Sequence, residues 1–205
     1  MNLIANIISL FRKTFILLKH NKRIKIGSNV FFEEKVVIKI DKGAFISIDD
    51  NSYICKGVEL RAKNFSKIVI GQNVKLDNNV RLVSANEATI NLEKNVKLGM
   101  STIFNAGSDI KVGEFAIFAS NCSVNSSSHV FNNKKHTIQS NFKHEPVNIE
   151  RNVWVGASCV INPGITIGEN SVLSANLNVN QNVLKNKILK LNATKDQVDI
   201  IFKNE

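Results

Sequence analysis

The sequence is poor in cysteine and proline, and the cysteine pattern argues against one class of site. Its 205 residues include two prolines, Pro146 and Pro163, and three cysteines, Cys55, Cys122 and Cys159. Since the cysteines are odd in number and widely spaced, they form neither a Cys-x-x-Cys pair nor a metal-ligand pattern. A reduced, cytosolic setting is the simpler interpretation.

Alanine and leucine, which favour helices, are also sparse, whereas isoleucine, valine, phenylalanine and asparagine are plentiful. This mixture predicts many short strands joined by corners that tolerate asparagine. A hydrophobic content of 43% and a charged content of 21% are ordinary for a globular protein and argue against wholesale disorder. The length is that of one domain.

Acidic residues are fewer than basic ones, which gives a formal net charge of +10 and favours anionic partners. Nucleic acid is disfavoured, because no basic run is interleaved with aromatic residues and no finger or recognition-helix motif is present. A phosphate-rich cofactor or an acidic glycan fits the charge equally well.

Residues 1–23 predict an amphipathic helix. Arg12 and Lys13 interrupt the apolar run before it reaches the roughly 18–20 residues that span a bilayer, and a basic leader region and a cleavage site are lacking. Two interpretations stay open: a helix that caps the open end of the core, or one that rests on an anionic membrane surface. The apolar residues at helical spacing are Leu3, Ile4, Ile7, Ile8, Phe11, Phe15 and Leu18.

A six-residue repeat of aliphatic residues runs from Ile26 to Val183. Its first members group into seven triplets, and a second compact or apolar residue follows four positions after each of them in the C-terminal part. The triplets are Ile26/Phe32/Ile38, Ile48/Ile54/Leu60, Ile70/Leu76/Leu82, Leu92/Leu98/Phe104, Val112/Phe118/Val124, Ile149/Val155/Ile161 and Ile167/Leu173/Val179.

The spacing within each triplet is always six, and every insertion falls between triplets. Three short strands therefore make one triangular turn, and turns stack at roughly 4.8 Å while one corner extrudes loops. The sequence predicts an all-β protein: a left-handed parallel β-helix of about seven triangular coils over residues 24–183. Residues 184–205 form a C-terminal tail, in which Val198–Phe202 is expected to pack against the prism as a helix or strand.

Two columns of residues follow the inward positions and are predicted to form corners with positive φ. One contains Gly27, Asp49, Gly71, Glu93, Gly113, Glu150 and Gly168, and the other contains Asn105, Asn125, Asn162 and Asn180. Cys122 and Cys159 fall at small inward positions, so both are predicted to be inert core residues.

The one long insertion, residues 126–148, is the candidate active-site loop. A compact stack has no structural need for a loop of this length, and such loops are often functional. It holds three of the four histidines, His129, His136 and His144.

The stretch from Asn152 to Val172 resembles the signature segment of the hexapeptide-repeat acetyltransferases, in particular the galactoside/maltose and capsule O-acetyltransferases. In that family a histidine at the start of the extruded loop precedes a tryptophan by about 25 residues, as His129 precedes Trp154 here. The resemblance implies direct acetyl transfer from acetyl-CoA to a carbohydrate hydroxyl, at a site between subunits of a homotrimer.

The resemblance also assigns roles at the acceptor site. His129 would be the general base, since an imidazole can take the hydroxyl proton near neutral pH, with His136 and His144 as lesser candidates. Trp154 would lie beside the acetyl group, or else pack between protomers. Asn105, in a Phe-Asn pair, would meet the acceptor sugar, unless it serves only as a corner.

Small residues at Gly156, Ala157 and Ala175 would form a groove for the pantetheine arm, although small residues are also what the repeat itself prefers. Lys195 lies where the family often has a lysine near the CoA phosphates, but the accompanying glycine and proline are absent here.

Three competing functions stay open. An N-acetyltransferase acting on an amino-sugar is the nearest. A zinc enzyme resembling the γ-type carbonic anhydrases would need three separated histidines, whereas three of the four here share one loop. A non-catalytic glycan-binding scaffold would bind no acetyl-CoA. No resident metal is predicted, and the favoured location is cytoplasmic, with a peripheral membrane contact through residues 1–23 as an option.

Overall fold

The computed structural model describes residues 3–130, 141–190 and 197–199. Helix α1 (Leu3–His20) opens the chain and continues into a short 3-10 helix, Asn21–Arg23. All other regular elements are β-strands. Within the described ranges, no helix is long and apolar enough to cross a membrane.

Most of the strands form three sheets of parallel strands, which are the faces of a triangular prism. Face one contains β1 (Ile24–Ile26), β4 (Phe45–Ile48), β7 (Lys67–Ile70), β10 (Thr89–Leu92), β13 (Ile110–Val112), β18 (Val147–Ile149) and β21 (Thr166–Ile167). Face two contains β2 (Phe31–Phe32), β5 (Tyr53–Ile54), β8 (Lys75–Leu76), β11 (Lys97–Leu98), β14 (Ile117–Phe118), β19 (Trp154–Val155) and β22 (Val172–Leu173). Face three contains β3 (Val37–Ile40), β6 (Glu59–Ala62), β9 (Arg81–Ser84), β12 (Ile103–Ala106), β15 (Ser123–Asn125), β20 (Val160–Ile161) and β23 (Asn178–Val179).

Each coil contributes one strand to each face, so seven complete coils stack, and the left-handed parallel β-helix predicted from the repeat is confirmed. The register pairs equivalent inward residues of successive coils, as in Ile54 with Leu76 on face two. These side chains are almost completely buried and form one continuous aliphatic core. Because no single coil can bury its inward face alone, the stack itself is what stabilises the fold.

The stack continues beyond residue 183. Val183 bridges to Ile167, and β24 (Lys187–Leu189) adds a strand to face two through pairing with β22. Leu189 is buried and follows Val183 by six residues, so an eighth, partial coil closes this end. Strand β25 (Gln197–Asp199) then pairs antiparallel with β24.

Cys122 and Cys159 are core residues, as predicted. Cys55, Cys122 and Cys159 are free and buried. Burial raises the pKa of the Cys122 thiol to about 11 and that of Cys55 to about 12, and it also raises the pKa of Cys159. Since the thiolate is the reactive form, these cysteines are inert at neutral pH.

The predicted corner columns are wrong. The residues with positive φ lie three positions after the inward residue, not one; on the first corner they include Asn51, Asn73, Asn95 and Asn170, with φ near 60°. Asn105 lies within strand β12 and lacks positive φ. Side chains of the true corner column also form ladders, as in the bond from Asn73 Nδ2 to Asn95 Oδ1 at 3.1 Å.

Glycines directly after an inward residue are explained by space instead. A Cβ on Gly113 would lie 2.6 Å from the backbone nitrogen of Arg151, and one on Gly168 would lie 2.4 Å from that of Lys185. These glycines let successive coils approach closely.

Helix α1 lies across the open edge of the first coil and satisfies backbone groups there. The Phe32 N–H donates to Ser9 Oγ at 2.8 Å, Arg12 Nη1 donates to the Phe32 carbonyl at 3.1 Å, and Lys13 Nζ donates to the Gly27 carbonyl at 2.5 Å. An uncovered edge strand would be a template for unwanted pairing, so α1 protects this end. His20, at the end of the helix, is buried as well.

Candidate active site

The candidate site is built on a two-stranded ribbon that leaves the corner between face three and face one. Its strands are β16 (Ser127–His129) and β17 (Phe142–His144), which pair antiparallel. Residues 131–140, which connect them, lie outside the described residues. The antiparallel pairing of β16 with β17 and the attachment of both strands to the prism hold the ribbon in place.

Ser126 fixes the root of the ribbon. Its hydroxyl is buried, accepts from the backbone N–H groups of Gly107 and Ser108 at 3.1 and 3.0 Å, and donates to the Ser108 carbonyl at 2.7 Å. The Glu145 N–H donates back to the Ser126 carbonyl at 3.0 Å. These bonds join both ends of the ribbon to the coil below.

One side of the ribbon carries the candidate catalytic cluster. The strand register places His129 opposite Phe142 and Ser127 opposite His144, so all four side chains share one side. The His129 and Phe142 rings lie 4.1 Å apart between centroids. A hydrogen bond of 2.7 Å joins Ser127 Oγ to His144 Nδ1. Both imidazoles are solvent-exposed and accessible to a substrate.

Gly107 provides the room for this cluster. A Cβ at this position would lie 2.2 Å from Ser127 Oγ and 2.6 Å from His144 Nδ1. Any other residue would push the two side chains away, so the glycine is needed for space next to the Ser127–His144 pair.

Asn105 is held beneath the ribbon by a polar chain along face three. Its Oδ1 accepts from Arg81 Nη1 and its Nδ2 donates to Asn125 Oδ1, both at 3.0 Å. Arg81 is in turn held by Glu59, with Nε to Oε2 at 3.0 Å. The amide is thus fixed in orientation, with one N–H left to meet a ligand.

A shallow pocket of about 220 Å³ brings Asn105 and His144 together. Its walls also include Gly107, Ser127 and Phe142. Pockets for small molecules usually measure roughly 300–1,000 Å³, so this pocket is smaller than most.

Trp154 lies elsewhere on the prism. It is on face two, in strand β19 between β14 and β22, and its side chain is 56% exposed. The ribbon leaves the corner between the other two faces. Within one chain, His129 and Trp154 therefore belong to different sides of the prism.

The predicted cofactor-binding residues follow Trp154. Gly156 is buried, and a Cβ there would lie 2.6 Å from the Ala175 backbone nitrogen, so coil stacking alone requires this glycine. Ala157 is partly exposed and Ala175 is exposed. His136 and Lys195 lie outside the described residues. Within the described ranges, no three His, Cys, Asp or Glu side chains converge to hold a metal ion.

Ser127, Phe142 and Gly107 were not identified from the sequence. The position of Ser127 could have been predicted, because it precedes His129 by two residues and such residues lie on the same side of a strand. Those of Gly107 and Phe142 could not, since their roles arise from the folding back of the ribbon.

Comparison with known proteins agrees with the repeat. Residues 146–181 match the family described as the hexapeptide repeat of succinyl-transferase. Galactoside O-acetyltransferase of Escherichia coli is 32% identical over 81 residues, and that of Lactococcus lactis is 35% identical over 82 residues. The similarity spans 38% of the length of each of these relatives.

Among solved structures, AntD, an N-acyltransferase from Bacillus cereus, superposes with a TM-score of 0.65 at 18% identity, over 93% of this chain and 89% of AntD. The polysialic acid-specific acetyltransferase NeuO superposes with a TM-score of 0.55 at 14% identity, over 89% of this chain and 88% of NeuO. At these identities the likeness shows the shared fold.

The coil stack is that of a left-handed β-helix, and residues 146–181 match the hexapeptide repeat. The predicted resemblance to the hexapeptide-repeat acetyltransferases, among them the galactoside O-acetyltransferases, is confirmed.

Proposed function

We propose that this protein is an acetyltransferase that moves an acetyl group from acetyl-CoA to a hydroxyl of a carbohydrate, with His129 as general base. The observation that carries the proposal is the ribbon cluster: an exposed histidine, positioned by a strand ladder, at the one corner with a long insertion. The similarity to galactoside O-acetyltransferases supports both the donor and the class of acceptor.

The chemistry requires only one proton acceptor. The imidazole of His129 takes the proton as the sugar oxygen attacks the thioester carbonyl carbon, and collapse of the tetrahedral intermediate breaks the carbon–sulfur bond. The imidazolium then returns the proton to the departing CoA sulfur. The buried thiols, with their raised pKa values, supply no competing nucleophile.

We assign acceptor binding to Asn105 and His144, which line the same pocket. The donor groups of Asn105 and the Ser127–His144 pair suit sugar hydroxyls. We assign the CoA arm to the open surface at Ala157 and Ala175, beside Gly156, and the CoA phosphates to Lys195.

A homotrimer is part of the proposal. Because Trp154 and the ribbon lie on different sides of one prism, a neighbouring subunit is needed to bring a Trp154 to a His129. In such a trimer Trp154 would border the acetyl group, where its indole N–H can donate a hydrogen bond. We place the reaction in the cytoplasm, which suits three free, buried cysteines, and we favour a capsule, lipopolysaccharide or sugar precursor as acceptor.

The test is a mass-spectrometric assay with acetyl-CoA and a panel of glycans. His129→Ala is expected to lower the rate by about 10²–10⁴-fold, the usual contribution of a general base. Lys143→Ala is the matched control, since Lys143 lies on the opposite side of the same ribbon and is expected to keep the parental rate. Full activity of His129→Ala would refute the mechanism.

The product distinguishes the alternatives. Mild alkali hydrolyses an acetyl ester but not an acetyl amide. An alkali-stable product would therefore show N-transfer to an amino-sugar instead of O-transfer. If calorimetry detects glycan binding but no binding of acetyl-CoA, the protein is a glycan-binding scaffold and the proposed function is wrong.

A further inference from the structure

Helix α1 turns its more polar side towards the prism. Its partly or fully buried positions include Ser9, Arg12, Lys13 and His20, three of which bond to the edge of the first coil. The large apolar side chains lie on the other side and are 42–78% exposed: Ile4, Ile7, Ile8, Leu10, Phe11, Phe15 and Leu18. Ile16 and Leu17 also face the prism and pack partly buried against its core, but most of the large apolar side chains of α1 do not.

The exposed apolar residues form a contiguous stripe. All except Leu10 fall within about 100° of one another on a helix with 3.6 residues per turn. We call Ile4, Ile7, Ile8, Phe11, Phe15 and Leu18 the apolar stripe. Exposed apolar surface of this extent on a soluble protein marks an interaction site.

The charge around the apolar stripe is positive. Residues 1–32 contain six of the 27 Lys and Arg residues and none of the 17 Asp and Glu residues. Lys19, Lys22 and Lys25 are exposed at the C-terminal end of α1. Residues 1–32 thus carry a formal charge of +6, against +10 for the whole chain.

A cleft of about 480 Å³ beside the apolar stripe is also lined by aromatic and basic side chains. Phe11 and Phe15 line it on the helix side, and Lys35 and Lys39 line it on the prism side. The nearby carboxylates are engaged: Glu33 accepts from the Tyr53 hydroxyl at 2.8 Å, and Glu34 pairs with Lys56 at 2.5 Å.

We propose that the apolar stripe and the lysines beside it dock this protein onto an anionic lipid bilayer, with the stripe inserted at the headgroup boundary. An apolar stripe flanked by cations is the pattern of helices that lie in the membrane interface, and each cation near an anionic surface adds about 1 kcal/mol. A second copy of the chain is the less favourable occupant, because a symmetric contact would bring two cationic ends together. Docking would hold the ribbon close to an acceptor carried by lipid.

The experiment is flotation of the full chain with vesicles of phosphatidylcholine alone and of phosphatidylcholine mixed with phosphatidylglycerol. The parent protein is expected to float only with the mixed vesicles, and less so at high salt. Phe15→Ser/Leu18→Ser is expected to lower the partition coefficient at least about tenfold, because two apolar side chains no longer leave water.

The matched control is Phe65→Ser/Leu184→Ser, which removes one exposed phenylalanine and one exposed leucine away from the helix and should float like the parent. A second pair compares Lys22→Glu/Lys25→Glu, expected to abolish flotation, with Lys67→Glu/Lys97→Glu, expected to retain most of it. Absence of flotation of the parent, or equal flotation of Phe15→Ser/Leu18→Ser, would overturn the proposal, and so would dissociation of oligomers by that variant with unchanged flotation.

Acetyl transfer to a soluble glycan is measured on the same variants. For Phe15→Ser/Leu18→Ser and Lys22→Glu/Lys25→Glu it is expected to stay at the parental rate, since these four residues lie at the end of the prism away from β16 and β17. Failure of docking is therefore distinguishable from failure of the proposed catalytic function.

Discussion

The prism and the ribbon are two regions of one chain that are specified in different ways. In the prism every strand repeats the same inward position, and each inward side chain packs against its equivalents in the coils above and below. In the ribbon, position depends on individual bonds, such as those of Ser126 and the Ser127–His144 pair. The prism is therefore held by many equivalent contacts, whereas the candidate catalytic geometry depends on single contacts.

Replacement of a phenylalanine by alanine in each region tests this comparison, and the prism variant is expected to show the largest loss of stability. Phe104 is completely buried and packs edge-on against Phe118, with ring centroids 5.4 Å apart. Phe104→Ala is expected to lower the free energy of unfolding by about 3–5 kcal/mol, because it leaves a cavity in a close-packed core. Urea denaturation measures this change.

Phe142→Ala is the counterpart in the ribbon. Phe142 is 53% exposed and contacts His129, so its removal is expected to change stability by less than about 1 kcal/mol while it lowers acetyl transfer. Equal loss of stability in the two variants would show that the ribbon is part of the core, contrary to the comparison.

Two glycines sharpen the contrast. A Cβ on Gly107 meets the side chains of Ser127 and His144, which can move, whereas a Cβ on Gly99 meets the Ala119 backbone at 2.6 Å. Gly107→Ala is expected to leave stability nearly unchanged and to lower kcat/KM by about 10–100-fold, since small misplacements of catalytic groups have effects of this size.

Gly99→Ala is expected to show the opposite behaviour, with about 1–3 kcal/mol of lost stability from overpacking and, in the folded fraction, parental kcat/KM. Thermal unfolding and steady-state kinetics of both variants make the comparison. Full activity of Gly107→Ala would mean that the Ser127–His144 geometry has no catalytic role.

The corners of the prism give a smaller effect. Asn95 has φ of 62° and accepts a hydrogen bond from Asn73. Asn95→Ala is expected to lower the free energy of unfolding by about 1–2 kcal/mol. Alanine disfavours positive φ, because its Cβ is crowded there and it has no polar side-chain group to compensate. Asn95→Gly should cost less, since glycine adopts positive φ freely. A higher denaturation midpoint for Asn95→Ala than for Asn95→Gly would contradict this prediction.

The smallest effect concerns pH and the capped end of the prism. Burial, together with the charges of Lys19 and Arg23, lowers the pKa of His20 below its usual value. The unfolded chain then binds a proton more readily than the folded one, so the stability contribution is complete above pH of about 6.5 and declines as the pH falls through the lower, folded-state pKa.

His20→Asn is expected to flatten the dependence of the free energy of unfolding on pH between neutrality and mild acid. Identical slopes for the parent and His20→Asn would show that His20 does not govern this dependence.

Much of the fold could be predicted, and less of the site. The six-residue spacing identified all seven coils, because each inward residue must be apolar whatever its neighbours. The corner residues were misplaced by two positions. Composition shows that Asn is frequent, but only the backbone shows that positive φ falls at Asn73 and Asn95 and that Asn105 lies in a strand.

Within the site, the sequence singled out His129, His144 and Trp154 but could not relate them in space. The ribbon register brings His129 to Phe142 and His144 to Ser127, which are distant in the chain. The placement of Trp154 on face two, away from the ribbon corner, is likewise a property of the coil geometry.

The repeat, the number of coils and the single corner that carries a long insertion follow from the sequence, because burial at the same positions of every six-residue unit is a local and repeated requirement. Tertiary structure alone decided which side of α1 faces the prism, why Gly107 must be a glycine, and which side chains share the ribbon. Those features depend on contacts between segments far apart in the chain, and such contacts leave no periodic pattern in the sequence.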